Sequence, residues 1–254
     1  YNGENYIEAS IKSVLNQTYK SFELIIINDG STDNTANIVD HYAAQDSRIQ
    51  VVHQQNIRLP RTLSKGFRMA QGEFYTWTSA DNIMHEEFLE RFVKELQDNP
   101  SLGMAWGNMR LIDEYGNPIV DNQWYPNAEY PEEVLFPSSV LELNVVANNY
   151  IGAAFMYRAI CAHIVLDYSS YKFCTEDYDY WMKINEICSL RHTSFTEPLY
   201  SYRFHPNSLT SKDKEFKITE NRYKLMLLDD FRRDYYLKPL IWVFNGDAKS
   251  HPWY

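Results

Sequence analysis

The chain has 254 residues, of which 44% are hydrophobic, and its formal net charge is −10 at pH 7. This length and hydrophobic content suit one large α/β domain with a sizeable core, and they exclude a disordered chain. The negative charge argues against non-specific binding to a nucleic-acid backbone.

The cysteines and the hydropathy pattern narrow the class of protein further. Cys161, Cys174 and Cys188 include no closely spaced pair. An odd number in such a pattern argues against a disulfide framework or a structural zinc site, so buried, reduced thiols in a cytoplasmic protein are expected. The sequence contains no run of about 18 apolar residues, so it predicts no membrane span. No signal peptide is visible.

Segments with helical and strand periodicity alternate along the first hundred residues. The pattern predicts helices over 5–17, 33–45, 61–70 and 85–97, and strands over 22–27, 49–54 and 73–78. Such alternation implies a doubly wound, mostly parallel sheet, in which ligands bind at the carboxyl ends of the strands. The candidate ligand-binding segments are therefore 28–29, 56–61 and 79–82. Because the chain opens on "YNGENYI", already at a turn, we expect the first strand of the sheet to be missing from this sequence.

The remaining residues are less regular. The pattern predicts a strand over 103–113, a long loop over 121–139, a close-packed turn and helix over 148–160, a helix from 175, a strand and polar turn over 198–210, and a charged helix over 213–233. The segment "FRRDYYLKPLIWVF" mixes basic and aromatic residues. It is open to two interpretations, a packed terminal helix or a peripheral contact with the inner face of a membrane or with a partner.

Six segments, taken in order, carry a resemblance to a known family: "YNGENYIEASIKSVLNQTY", "FELIIINDGSTDNT", "NIRLPRTLSKGFRMAQGEF", "TSADN", "TEDYDYW" and "YRFHPNS". Their order and spacing resemble the family 2 glycosyltransferases, which have the GT-A nucleotide-sugar fold. The first half is particularly similar to the spore-coat polysaccharide members. The resemblance implies a GT-A domain over 1–210, with a nucleotide-sugar-binding half (1–100) and an acceptor and catalytic half (101–210), followed by a helical extension over 211–254.

The resemblance implies that four residues bind the nucleotide. Asp29 would accept hydrogen bonds from the base, and Tyr1 would stack on it. Arg58 stands where many relatives have glycine and would bind a base edge or the diphosphate, and Ser79 would hydrogen-bond the ribose. The alternatives are a turn aspartate for Asp29, a frayed terminus for Tyr1 and a solvated surface for Arg58. Two basic side chains of the next predicted helix are open to either interpretation: Arg61 and Lys65.

The stretch "TSADN" is the expected metal-binding segment. In the resembling family the acid at the position of Asp81 binds the metal directly, and Ala80 stands in place of a second acid. Because Mg²⁺ is often held by one or two carboxylates, diphosphate oxygens and waters, we expect a working one-carboxylate site for Mg²⁺ or Mn²⁺. A metal-free or inactive site is the alternative. His205 is expected to contact the metal or the diphosphate, and Arg203 to neutralise the leaving phosphate.

The helix that begins in "TEDYDYW" carries the expected catalytic base. By resemblance, Asp177 takes the proton of the acceptor hydroxyl, whereas ordinary acid enrichment at a helix start is the structural alternative. Asp179 is the alternative base. Glu176, Trp181 and Gly152 are expected on the acceptor side. Two further tryptophans are candidates for stacking on a sugar: Trp106 and Trp124.

These expectations combine into an inverting glycosyltransferase. It would move a sugar from a nucleoside diphosphate sugar, with UDP favoured, to a glycan or lipid-linked acceptor in polysaccharide or cell-surface glycan synthesis. A catalytically degenerate module that binds a nucleotide or glycan is the alternative, motivated by Ala80. The glycine-rich phosphate loop of a nucleotide-sugar pyrophosphorylase and the G-x-G-x-x-G of a dinucleotide dehydrogenase are both absent from the sequence.

Overall fold

A computed structural model of the chain describes residues 1–120, 124–125, 129–138, 151–170, 174–206 and 208–237. Residues 148–150, at the start of the predicted close-packed turn over 148–160, lie outside the described residues. So do residues 238–254 of the predicted C-terminal extension and residues 121–123, 126–128 and 139 of the predicted loop.

The described residues form helices and short strands that alternate irregularly along the chain. The helices are α1 (Ile7–Leu15), α2 (Thr35–Ala43), α3 (Leu59–Met69), α4 (Phe88–Asp98), α5 (Ala159–Val165), α6 (Glu176–Ile187), α7 (Asp213–Phe216) and α8 (Ile218–Arg232). The strands are β1 (Leu24–Asp29), β2 (Ile49–Gln54), β3 (Phe74–Tyr75), β4 (Ile83–Met84), β5 (Leu102–Trp106), β6 (Met109–Ile112), β7 (Glu133–Val134), β8 (Phe155–Arg158), β9 (Ser189–His192) and β10 (Tyr200–Arg203).

The first sheet brings two strand ends together at the expected edge. β1 and β2 are parallel, with Leu24 opposite Ile49 and Asp29 opposite Gln54. Their β-branched side chains pack against α1 and α2 in a small core that includes Ile11 and Val39. Because the strands are parallel and end in register, the polar residues that close them lie side by side.

The predicted strand over 73–78 differs from the structure in both length and direction. Only Phe74 and Tyr75 form β3, and they pair antiparallel with β8. The next residues leave the ladder because threonine hydroxyls bond across to neighbouring strands: Thr76 Oγ1 donates to Phe155 O (2.6 Å), and Thr78 Oγ1 lies 2.7 Å from the Tyr200 hydroxyl. The segment up to residue 82 therefore runs as an irregular loop at the sheet edge.

The predicted strand over 103–113 is two strands in two different sheets. β5 belongs to the sheet ordered β3-β8-β5-β9, and β6 belongs to the sheet ordered β4-β10-β6-β7. The chain changes sheets at Gly107, whose N–H donates to Ala154 O (2.8 Å). A side chain there would lie 3.2 Å from Phe92 Cζ. Within these two sheets, β5–β9 and β6–β10 pair parallel, and the other pairs are antiparallel.

The C-terminal helix α8 packs onto the same core as the sheets. Leu225 is 1% exposed and belongs to the main hydrophobic cluster, together with Trp106, Tyr157 and Trp181. Among the described helices, none combines the length and the apolar surface that a bilayer crossing requires.

Candidate active site

Asp29 closes β1 and is held by three donors from the neighbouring strand and loop. Oδ1 accepts from Gln54 Nε2 (2.8 Å) and from the Ile57 N–H (2.9 Å), and Oδ2 accepts from the Arg58 N–H (2.9 Å). A carboxylate has about four acceptor positions. The buried Asp29 side chain is therefore fixed in place with capacity for one more N–H from a ligand.

Arg58 stands at the start of α3 in a strained backbone conformation. Its φ is +70°, in a region that favours glycine, yet its side chain is exposed. The charge of Arg58 also acts on Cys174: burial, and then the charge of Glu176, raises the pKa of that thiol, and the charge of Arg58 opposes the rise. Strain retained at an exposed cationic residue marks Arg58 as a functional candidate.

The other predicted nucleotide-binding residues lie at the chain start, after β3 and on α3. Tyr1 is 64% exposed. The next residue ties the chain start to the loop after β1, because Asn2 Oδ1 accepts from the Thr32 N–H (2.9 Å). Ser79 Oγ accepts from Asn82 Nδ2 (2.7 Å), which holds the irregular loop after β3. On α3, two basic residues line a cavity that also includes Tyr168: Arg61 and Lys65.

Asp81 and His205 form a pair at the end of the β3–β4 loop. Asp81 Oδ2 lies 3.0 Å from His205 Nε2, and Asp81 Oδ1 is buried with no hydrogen-bond partner among the described residues. The His205 ring also packs against Tyr6, with 5.2 Å between the centroids. No group of three or more potential ligands occurs within the described ranges. One free carboxylate oxygen beside one imidazole fits a cation that takes its remaining ligands from a diphosphate and water.

Arg203 does not have the predicted role. It is buried, and its Nε donates to Asp81 O (2.8 Å) while its Nη1 donates to the carbonyls of Asp113 (2.8 Å) and Glu114 (3.2 Å). The Tyr6 ring lies 4.8 Å below the guanidinium. Because these partners already engage the side chain, Arg203 holds the Asp81 loop in position, in place of the predicted contact with the leaving phosphate.

Glu176 and Asp177 open α6 as a pair of half-buried acids. Burial, and then the charge of Asp177, raises the pKa of Glu176 to about 7. Burial also raises the pKa of Asp177, and the positive charge of Arg222 on α8 opposes that rise. Asp177 Oδ1 accepts from the Tyr178 N–H (2.7 Å). A carboxyl with a raised pKa in a cleft is suited to proton transfer near neutral pH.

Tyr202 connects the Asp81 pair with the α6 acids. Burial raises the pKa of the Tyr202 phenol to about 12, its bond to Thr210 opposes this, and the charges of Asp81 and Asp177 raise it further. The same phenol lies 2.7 Å from Thr210 Oγ1. Tyr202 therefore lies within electrostatic reach of both Asp81 and Asp177.

Asp179 is excluded as the alternative base, because it is 1% exposed and already paired. Its oxygens contact Lys183 Nζ (2.9 Å) and Arg232 Nη2 (2.8 Å), and Ser169 Oγ donates to Oδ2. These partners hold α6 against α8, so the role of Asp179 is structural.

The predicted acceptor-side residues are corrected at three positions. Trp181 is 1% exposed and packs edge-on against Phe155, with ring centroids 5.3 Å apart, so it cannot stack on a sugar. Trp106 is likewise buried. Gly152 has φ +65°, and a Cβ there would lie 2.3 Å from Phe136 Cζ, so packing accounts for this glycine. Trp124 is half-buried against Tyr202, with 5.6 Å between the ring centroids.

Sequence reasoning missed Arg222 and Tyr6. Arg222 is half-buried on α8, and its Nε has no hydrogen-bond partner among the described residues. The sequence marks it only as one cation in a charged helix, and nothing in the local pattern indicates that it reaches Asp177. Tyr6 follows the opening turn, where its aromatic type gave no hint of contacts with Arg203 and His205.

Replacement of Glu176 by glutamine is expected to stabilise the protein selectively at neutral and alkaline pH. The folded-state pKa of about 7 lies above the ordinary value of 4.5. Ionising this carboxyl therefore destabilises the folded wild type as the pH rises from the ordinary pKa of 4.5 to the folded-state pKa of about 7. The unfolding free energy of Glu176→Gln relative to wild type should increase by on the order of 2 kcal/mol between pH 5 and pH 8. Urea unfolding at both pH values measures this, with the exposed Glu215→Gln as control; a difference that does not change with pH would contradict the pKa shift.

Comparisons with known proteins show that this chain is similar to glycosyltransferases. Residues 1–162 match the family model described as glycosyl transferase family 2. An uncharacterized glycosyltransferase of Haemophilus influenzae is 30% identical over 83% of this chain and 65% of its own length. One of Rickettsia conorii is 30% identical over 84% of this chain and 34% of its own length. The chain thus spans about one third to two thirds of these relatives.

Solved structures show the same architecture. Residues 1–349 of Staphylococcus aureus TarS in complex with UDP-GlcNAc superpose with a TM-score of 0.68 and 18% identity, over 90% of this chain and 64% of that one. The mannosyltransferase PcManGT of Pyrobaculum calidifontis, in complex with GDP-Man and Mn²⁺, has a TM-score of 0.58 and 13% identity, over 95% of this chain and 75% of that one.

Proposed function

The chain belongs to glycosyl transferase family 2, and from that premise we propose that it is an inverting, metal-dependent transferase that uses a UDP-sugar. The comparisons confirm the predicted α/β fold of the GT-A type. The donor nucleotide, the metal, the stereochemistry and the acceptor are parts of the proposal. The observation that carries it is the Asp81–His205 pair, in which Asp81 Oδ1 has no hydrogen-bond partner among the described residues, with Tyr202 within electrostatic reach of both Asp81 and Asp177.

Donor binding is assigned to the edge formed by β1 and α3. Asp29 keeps one acceptor position for the N3–H of a uracil, because its other positions are bonded to the chain. Tyr1 supplies a flat ring beside the loop after β1, and Arg58 supplies a forked cation for the base edge or diphosphate. Ser79 is assigned to the ribose. The complex of TarS with UDP-GlcNAc, on a similar fold, supports UDP as the nucleotide.

A divalent cation is assigned to Asp81 and His205. The unpaired Asp81 Oδ1 supplies a hard oxygen ligand and His205 an imidazole nitrogen, and Arg203 fixes the loop that presents them. A Mg²⁺ or Mn²⁺ ion there would neutralise the charge that develops on the departing diphosphate. The Mn²⁺ complex of PcManGT supports this assignment.

Proton transfer is assigned to Asp177. Its carboxylate accepts the proton of the acceptor hydroxyl while that oxygen forms a bond to the anomeric carbon. On the opposite side of that carbon, the bond to the diphosphate oxygen breaks, and the nucleoside diphosphate leaves. A single displacement inverts the anomeric centre, so an α-linked donor gives a β-linked product. The acceptor is a hydroxyl of a glycan or of a lipid-linked glycan in polysaccharide or cell-surface glycan synthesis.

Calorimetric titration of UDP with and without Mn²⁺ tests the metal site. We expect Mn²⁺ to strengthen UDP binding to the wild type by about tenfold or more and to have no effect on Asp81→Ala, because the carboxylate is the anionic ligand. The matched control is Asp98→Ala, which removes an exposed carboxylate on α4 that pairs with Lys94. Equal UDP affinity with and without Mn²⁺ in the wild type would overturn the metal assignment.

A nucleotide-binding module without catalysis is the second candidate, and Ala80 is the observation that favours it. A panel of UDP-sugars, followed for release of UDP with and without glycan acceptors, separates the two candidates. Release of UDP from one donor supports the transferase. Tight UDP binding with no release from any donor supports the binding module.

A further inference from the structure

Two cysteine thiols meet outside the active site. Cys161 in α5 and Cys188 at the end of α6 have their sulfur atoms 3.2 Å apart, and both are free thiols. Cys161 is 0% exposed, whereas Cys188 is partly exposed. The cysteines were expected to be buried, which holds for Cys161 and not for Cys174 or Cys188.

The backbone at Gly103 makes room for this thiol pair. The register between β5 and β9 shifts between Leu102 and Met104, which places Gly103 in an irregularity of the ladder. A Cβ at Gly103 would lie 2.3 Å from Cys188 Cβ and 3.1 Å from Cys161 Sγ. The Cys161 thiol also donates to Gly103 O (3.5 Å). Only glycine fits here, because Cys188 Cβ and the two sulfur atoms occupy the space that a side chain would need.

We propose that Cys161 and Cys188 form a redox-active dithiol site that is oxidised to an intramolecular disulfide by low-molecular-weight disulfides such as oxidised glutathione. The sulfur atoms must approach by about 1.2 Å to reach the length of an S–S bond, about 2.05 Å. Neither thiol takes part in the proposed sugar transfer, so the site is independent of that function.

The reaction proceeds in two exchanges. The more accessible Cys188 thiolate attacks one sulfur of oxidised glutathione, which forms a mixed disulfide and releases one glutathione thiolate. Cys161 then attacks Cys188 Sγ, which forms the protein disulfide and releases the second glutathione. Two protein thiols are oxidised, one glutathione disulfide is reduced to two thiols, and each proton lost by a cysteine is taken up by a released thiolate. Burial, and then Cys188, raises the pKa of Cys161 to about 12. Because the thiolate is the attacking form, we expect the second exchange to be the slower one.

The disulfide would close a loop around the catalytic segment. The two cysteines are 27 positions apart, and the residues between them include Glu176, Asp177 and the whole of α6. Because a cross-link reduces the conformational freedom of the unfolded chain, the oxidised form should unfold at a temperature higher by roughly 5–10 °C.

The test incubates the native full chain with oxidised glutathione, blocks the remaining thiols, and maps the peptides by mass spectrometry without reduction. We expect one Cys161–Cys188 cross-link, a protein mass lower by two hydrogen atoms, and the raised unfolding temperature. Cys174→Ser should react in the same way, and Cys161→Ser should stop at a glutathione adduct on Cys188. The same reaction in denaturant should lose its selectivity among the three cysteines.

Three results would overturn the proposal. They are a wild-type protein that keeps both thiols after prolonged exposure, a stable glutathione adduct on Cys188 that never exchanges with Cys161, and a cross-link that involves Cys174. Reversal of the cross-link by reduced glutathione, with recovery of the original unfolding temperature, completes the expected result.

Discussion

Replacement of Asp177 by asparagine is expected to lower kcat for sugar transfer by about 10²–10⁴-fold, the usual contribution of a general base. The amide keeps the size of the side chain and can accept the Tyr178 N–H at Oδ1, but it cannot take a proton from the acceptor. UDP affinity should stay within about twofold of the wild type, because donor binding is assigned to the β1 and α3 edge of the cleft.

Two measurements distinguish this result from a general loss of structure. Initial rates of UDP release in the presence of acceptor give kcat, and calorimetric titration with UDP and Mn²⁺ gives the affinity. Glu176→Gln is the matched variant, one residue away on the same helix, and it should keep a larger share of the activity. If Asp177→Asn retained more than about a tenth of the wild-type kcat, Asp177 would not be the base.

The pH dependence of kcat/KM in the wild type should reflect ionisation of the Asp177 carboxyl. Burial raises the pKa of Asp177, and Arg222 limits that rise. Because the base acts only when ionised, kcat/KM should fall as the pH drops through the pKa of Asp177. Arg222 thus opposes the effect of burial on the base.

Replacement of Asp179 by alanine is expected to destabilise the fold by about 3–5 kcal/mol, a cost typical of breaking a buried ion pair. The carboxylate is 1% exposed and contacts Lys183 and Arg232, so its removal leaves two partly buried cations without their partner. Urea unfolding followed by tryptophan fluorescence measures the change, since Trp181 lies on the same helix.

A surface ion pair provides the control for Asp179. Asp167 pairs with Arg68 at 2.9 Å, but the two side chains are 54% and 64% exposed. Asp167→Ala should therefore change the unfolding free energy by only about 0–1 kcal/mol. Equal effects of the two alanine variants would show that the contacts of Asp179 do not hold α6 to α8.

The β-α alternation of the first hundred residues was readable because it depends on local patterns. The limits predicted for the strand over 49–54 agree with those of β2. β1 begins and ends two residues later than the predicted strand over 22–27, because the polar residues that end β1 still pair with β2. The strand over 73–78 failed because its threonines bond across to other strands. Those contacts come from residues about 80 and 120 positions away, which no local pattern reveals.

Prediction of the site residues is limited in the same way, because local patterns do not reveal contacts between residues far apart in the sequence. Asp177 and Asp179 are two positions apart on a helix, so their side chains point about 200° apart around its axis. The sequence therefore indicates that only one faces the cleft, and the family resemblance favoured Asp177. No such argument was available for Trp181, because its burial depends on Phe155 arriving from β8. Arg203 was misjudged because a basic residue beside a phosphate site and one that bonds carbonyls have the same sequence signature.

The contact between Asp81 and His205 has a consequence for how the protein folds. It joins residues 124 positions apart, and Arg203 reaches back 122 positions to Asp81 O. β4 finds its partner only in β10, and β3 only in β8, among the described strands. The chain must therefore close its longest loops before this end of the cleft exists, and such closures slow folding. During synthesis, the residues that would hold the metal remain separated until β10 and His205 have emerged from the ribosome.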